Sequence, residues 1–201
     1  MFRGRVLFDE AELAEAKRRH ADDVNLPIHF VRGNHESHAA LRALAGGRNP
    51  APVGPHGVLA WVEDGTVMDL NGVPVGFAGG ALPDADRGVD AGCFVVLRGR
   101  RPVHVLVSHD LPRGVSRPRP DGTPVGDPQI AAFVEEADGP SLVIFGHYHG
   151  STGPKPWKDA AICMLAPALH PGEDGSLGVL DCVARTFWVA GREGNVAVVR
   201  V

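Results

Sequence analysis

The sequence predicts a mixed α/β fold, and three observations carry that reading. Apolar runs of strand length stand at Ile28-His29-Phe30-Val31, Val103-His104-Val105-Leu106-Val107 and Leu142-Val143-Ile144-Phe145, bounded as short buried strands are. Segments with helix signals separate them. Each run also leads into a loop rich in metal-binding side chains: Gly33-Asn34-His35-Glu36, Ser108-His109-Asp110 and Gly146-His147-Tyr148-His149-Gly150. Open α/β sheets place their sites at the carboxyl ends of strands, so three distant pieces are expected to build one centre.

In chain order, residues 9–20 carry acids early and cations late, which complements a helix dipole, with Asp9 as N-cap. The first strand follows at residues 27–31, then the Asn34 loop and a helix from about Ser37 to Ala45 closed by Gly46-Gly47. Between Gly57 and Gly80 come three β-type runs, at residues 58–62, 66–70 and 73–78, with turns at Asp64-Gly65 and Asn71-Gly72 that predict antiparallel hairpins. A short element is expected at residues 93–97, and the strand at 103–107 delivers His109. A Pro/Arg/Gly loop over residues 111–126 then leads to a helix at 129–137, opened by Asp127-Pro128, where proline suits the first helical position. After the strand at 142–145, the runs at 161–165, 177–182, 186–190 and 196–201 are β in character. No repeat or linker divides the chain, so residues 1–201 read as a single domain.

Composition narrows the functional classes. A chain of 201 residues and 21.2 kDa buries an enzyme-sized core. Its 20 Lys+Arg against 24 Asp+Glu, without a long run of either sign, give no extended surface for nucleic acid or membrane, and no nucleic-acid-specific motif is present. No stretch approaches the roughly 20 apolar residues of a membrane span. Cys93, Cys163 and Cys182 are odd in number, lie in or beside apolar segments and lack Cys-x-x-Cys pairing, so they read as free thiols and the localisation as cytoplasmic. Oligomeric state leaves no signal.

The loops specify the chemistry further. In an extended segment residues i and i+2 face the same way, so His147 and His149 are expected to present both imidazoles to one cavity. Asn34 offers an amide oxygen, a ligand that suits harder divalent ions such as Mn²⁺ or Fe²⁺ as well as zinc. His35 cannot easily reach the ion its neighbour holds and is better placed as a general acid or as a donor to a phosphoryl oxygen. His29, His56, His104 and His170 read as packed or solvated residues. Ser108, His109 and Asp110 are consecutive and cannot turn toward one another as a catalytic triad. Gly79-Gly80 lacks the downstream residues of a phosphate-binding P-loop.

The order Asn-His, then His, then Gly-His-x-His, each after an apolar strand, resembles the calcineurin-like metallophosphoesterase family from about Ile28 to the chain's end. The resemblance implies an α/β/β/α sandwich with mixed sheets and a two-metal site holding Mn, Fe or Zn. It assigns Asn34, His109 and His147 to one ion, His149 to the other, and His35 to the leaving group or transition state. Hydrolysis of a phosphomonoester or phosphodiester by metal-activated water is the implied activity.

Two of that family's motifs are absent, an Asp-x-His on the first strand and a Gly-Asp after the second, which supply most ligands of one ion. Asp9 follows Val6-Leu7-Phe8 and would serve as the bridging aspartate only with Phe8 in place of the expected glycine. Family spacing puts Met1, which stands 33 positions before Asn34, just after the missing Gly-Asp. The domain is therefore expected to be N-terminally incomplete and to lack its first strands, and to hold either the family's two divalent ions or a single one. The competing expectation is a phosphoesterase scaffold with an impaired metal site that works as a binding or assembly subunit.

Substrate choice falls to the loops around the metals. Arg113, Arg117 and Arg119, in a loop stiffened by Pro112, Pro118, Pro120 and Pro124, are the candidates to meet a phosphate or a second anionic group. A small-molecule phosphoester is the expected substrate. Asp110 and Glu36 are candidate carboxylates to orient a histidine ligand, and His38 is close enough to Asn34 to line the same cavity.

Overall fold

The computed structural model describes residues 28–53, 59–81, 87–148, 152–165, 178–189 and 197–201. The expected helix at residues 9–20, Asp9 and His149 lie outside them, as does the N-terminal region on which the expectation of absent motifs rests. Strand β1 (Ile28–Phe30) is followed by helix α1 (His38–Ala45), β2 (Ala51–Val53), β3 (Leu59–Trp61), β4 (Val67–Leu70) and β5 (Val73–Ala78). Helix α2 (Ala91–Gly99), β6 (Val105–Ser108), helix α3 (Pro128–Val134) and β7 (Leu142–Phe145) come next. The last strands are β8 (Thr152–Trp157), β9 (Ala160–Met164), β10 (Gly178–Asp181), β11 (Thr186–Val189) and β12 (Ala197–Arg200).

The strands form a six-stranded sheet, β4-β5-β6-β7-β9-β8, and two three-stranded sheets, β1-β3-β2 and β10-β11-β12. Side-chain alternation sets the layers. Leu106, Val143, Phe145 and Ile162 face Phe94 and Leu97 of α2 and Ile130 and Phe133 of α3. Their neighbours Val105, Leu142 and Cys163 face the other way and pack with Phe187 and Val189 of β11 and with Val31 and Val62, which directly follow β1 and β3. Phe30 and Trp61, one residue earlier on each of those strands, point to the opposite side and pack with Leu41 and Ala45 of α1. Helix, sheet, sheets and helix therefore follow in that order, the mixed α/β/β/α arrangement expected.

Strands β5, β6, β7 and β9 run parallel, so their carboxyl ends share one edge, and β1 runs parallel to β3. Two backbone bonds tie the loops at that edge: His109 N–H donates to Ala78 O at 3.2 Å, and Gly80 N–H to Arg32 O at 2.9 Å. The loops after β1, β5, β6 and β7 are thereby gathered at one edge.

Several local expectations are corrected. Asn71-Gly72 does close a two-residue hairpin, with φ of 51° and 82° and Leu70 opposite Val73, the positive pair that favours Asn-Gly. Asp64-Gly65 does not: β3 pairs with β1 and β2, and β4 belongs to the six-stranded sheet, with Asp64 at the crossing held in a long-range ion pair described below. The segment 93–97 lies within helix α2, where Asp90 caps Gly92 N–H at 2.8 Å and Cys93, Phe94 and Leu97 turn to the core while Val95 and Val96 remain exposed. The helix expected over 129–137 ends at Val134. Strand β8 was hidden by Gly153, Pro154 and Pro156; it lies at the sheet edge, where proline removes no ladder bond that a neighbour needs. Cys93, Cys163 and Cys182 are free thiols, as expected. Among the described residues no helix is long and apolar enough to cross a membrane.

Candidate metal centre

Three of the expected ligands meet at the strand edge. His109 Nε2 lies 3.1 Å from Asn34 Oδ1 and 3.1 Å from His147 Nδ1. The imidazoles of His109 and His147 stand edge to face, with centroids 4.9 Å apart. Two donors each about 2.1 Å from a shared ion and at right angles around it are about 3.0 Å apart, so both separations fit neighbouring positions of one coordination shell. With the His109 proton on Nδ1, the three atoms present converging lone pairs, a set suited to a cation of intermediate hardness. Among the described residues no group of three or more His, Cys, Asp or Glu side chains could hold an ion, so the asparagine oxygen is essential to this donor set.

The loops are shaped for this meeting. A Cβ on Gly33 would lie 2.9 Å from His109 Cε1, so only glycine lets the Asn34 loop come so close. Glu36 Oε2 accepts the Gly33 N–H at 2.6 Å and so holds the backbone of the same loop, and among the described residues it bonds to no histidine ring. His147 has φ of +64°. It is left-handed, which corrects the extended backbone expected at His147 itself; His149 lies outside the described residues. His35 is exposed and makes no hydrogen bond among the described residues. His38 turns away from the centre and packs edge-on against Trp61, ring centroids 5.9 Å apart.

Burial, together with the nearby charges of His147, His35 and Arg32, lowers the His109 pKa from 6.5 to about 4. A neutral imidazole at ordinary pH is the form a metal requires. Between about pH 6.5 and 4 the unfolded chain binds the proton that folded His109 refuses. Stability of the metal-free protein therefore falls as pH falls through that window and is unaffected by this group above it. Melting temperatures from pH 7 to pH 4 are expected to decline less steeply in His109→Gln than in the parent; equal slopes would remove His109 as the cause.

Two supports escaped the sequence reading. The first is a buried ion pair: Arg32 Nη2 lies 2.8 Å from Asp64 Oδ2, both side chains 1 % exposed. Asp64 Oδ1 also accepts Gly79 N–H at 2.9 Å, and Arg32 Nη2 donates to Gly88 O at 2.8 Å. The second lies behind His147, where the Tyr148 hydroxyl donates to Asp110 Oδ1 at 2.7 Å and the Tyr148 ring stands edge to face on His147. Asp110, 1 % exposed, also accepts the Leu111 N–H at 2.8 Å. It anchors Tyr148, and among the described residues no bond from it reaches a histidine. Tyr148→Phe should cost about 1.5–3 kcal/mol, the range for a hydrogen bond to a charged group. Urea unfolding would reveal this, and an unchanged midpoint would show that Asp110 finds another partner.

Of the three loop arginines, Arg113 and Arg119 line a cavity of ≈ 250 Å³ together with Asp110, Gly126 and Tyr148. Arg117 is exposed and is not part of its wall.

The family model described as calcineurin-like phosphoesterase matches residues 7–151, a span that contains Asn34, His109 and His147. No curated protein matches the chain.

Proposed function

We propose that this chain, which belongs to the calcineurin-like phosphoesterase family, hydrolyses a small phosphomonoester or phosphodiester at the centre formed by Asn34, His109 and His147. The observation that carries this reading is the approach of three donor atoms from three different loops, with both contacts to His109 Nε2 at 3.1 Å. A divalent ion held there, Mn²⁺, Fe²⁺ or Zn²⁺, would supply Lewis-acid polarisation of the phosphoryl group and activation of water. His149, by its place in the Gly-His-Tyr-His-Gly motif, is proposed as a ligand of a second ion.

The remaining steps fall to the chain's own groups. Asn34 contributes no charge, so the centre keeps the net positive character that attracts a phosphate. His109 stays unprotonated through burial and leaves its Nε2 lone pair free. His35 is proposed to give a ring proton to the departing alkoxide oxygen, a role supported by its exposure and its place next to Asn34 in the chain. A cytoplasmic setting is proposed, supported by the three free thiols.

A second reading, a scaffold in which the metal site is idle, draws on the lack, among the described residues, of a group of three or more His, Cys, Asp or Glu side chains that could hold an ion. Hydrolysis separates the two. The metal-loaded chain is expected to release 4-nitrophenol from 4-nitrophenyl phosphate or its bis ester, and to stop when the ion is chelated. No release from either ester with any of the three ions would leave the scaffold reading standing.

A further inference from the structure

We infer that the cavity beside His147 receives a second anionic group of the substrate, so that the preferred phosphoester carries a carboxylate or a further phosphate. This rests on the phosphoesterase reading and gives it a substrate class. The first argument is unbalanced charge. Among the described residues Arg32, Arg42, Arg98 and Arg101 are each paired with a carboxylate. Arg113 and Arg119 form no ion pair with a described carboxylate, although Asp127 and Asp121 lie close enough to feel their charges. What sets them apart from Arg48, Arg100, Arg117, Arg185 and Arg200, which also form none, is that both line one cavity, where the Arg113 guanidinium reaches the Gly126 carbonyl at 3.4 Å.

The only carboxylate on the cavity wall is Asp110, whose Oδ1 already takes the Tyr148 hydroxyl and the Leu111 N–H. It is buried against those donors, whereas the two guanidiniums are exposed. Their planar forks suit a carboxylate or phosphate.

Position and size supply the other arguments. Tyr148 belongs at once to the cavity wall and to the His147 ring contact, with centroids 4.7 Å apart, so an anion held by the arginines sits next to the metal centre. The volume of ≈ 250 Å³ is below the roughly 300–1,000 Å³ of a site that takes up a whole ligand. It fits one substituent. The loop is also held in shape: Arg113 N–H donates to Asp127 O at 3.0 Å, Asp127 N–H to Leu111 O at 2.8 Å, and Arg119 N–H to Thr123 O at 2.9 Å. These bonds fix the backbone that carries both arginines before any ligand arrives, which lowers the ordering cost of binding.

The test compares benzylphosphonate with its para-carboxylate by calorimetry on the full metal-loaded chain. The carboxylate is expected to bind on the order of ten- to a hundredfold more tightly, as a charged hydrogen-bonded pair would give. That ratio should collapse toward one in the Arg113→Ala/Arg119→Ala variant and persist in His147→Ala, where both affinities fall together. Equal affinities in the parent, no binding of either probe, or a ratio that survives loss of both arginines would overturn the inference. Failure of the phosphoesterase reading looks different: the matching phosphate esters would not be hydrolysed, while the arginine-dependent preference remained.

Discussion

Alanine at His109 or His147 is expected to lower phosphoester turnover on the order of a thousandfold, the rate equivalent of the several kcal/mol a catalytic metal supplies. His109 should be the more damaging. Its Nε2 is the atom shared by both close contacts, to Asn34 Oδ1 and to His147 Nδ1, so its loss leaves two donors with no common neighbour. His147→Ala removes one donor and one face of the Tyr148 contact while the Asn34–His109 pair survives. His35→Ala belongs to a different class, because it leaves the three donors intact: metal content should hold while turnover falls, most for esters with poor leaving groups that depend on a proton donor. Metal analysis beside steady-state rates would check the pattern. Equal turnover in the parent and in His109→Ala would mean that hydrolysis occurs elsewhere.

Asp64→Ala is expected to destabilise the fold by about 3–5 kcal/mol, the usual cost of stranding one partner of a buried ion pair. Arg32 would keep its charge in a 1 % exposed position, with Gly88 O among its remaining partners. The Gly79 N–H would lose its acceptor at the same time. Because Arg32 immediately precedes Gly33 and Asn34, the metal centre should loosen along with the fold. The control is Arg32→Met/Asp64→Leu, which removes both charges and should recover most of the stability. A small loss in Asp64→Ala, or a double variant no better than the single one, would show that the pair is not what holds this junction. Urea unfolding reads both.

The sequence made the framework of the centre legible because buried parallel strands are written as continuous apolar runs and the ligands sit directly after them. The expectation that Asn34, His109 and His147 share one ion came from the family resemblance, and the fold brings their donor atoms together. Long-range polar pairs leave no such mark. Arg32 and Asp64 are 32 positions apart, and Asp64 beside Gly65 looks like an ordinary hairpin turn until its partner is known. Asp110 was noticed as a carboxylate beside a ligand, but its partner proved to be the tyrosine after His147. The helical form of residues 93–97 was obscured by consecutive β-branched valines, and it is decided by the Asp90 cap and by the spacing of Cys93, Phe94 and Leu97 against the sheet. The loop arginines were visible as a group, but only the folded loop separates Arg113 and Arg119 from Arg117.

The most direct test of the shared centre is a count of Mn²⁺ ions per folded chain by native mass spectrometry, in the parent and in His109→Ala. At least one ion in the parent and one fewer in the variant is the result expected if Asn34, His109 and His147 hold a single ion. An unloaded parent, or equal counts in the two proteins, would contradict it.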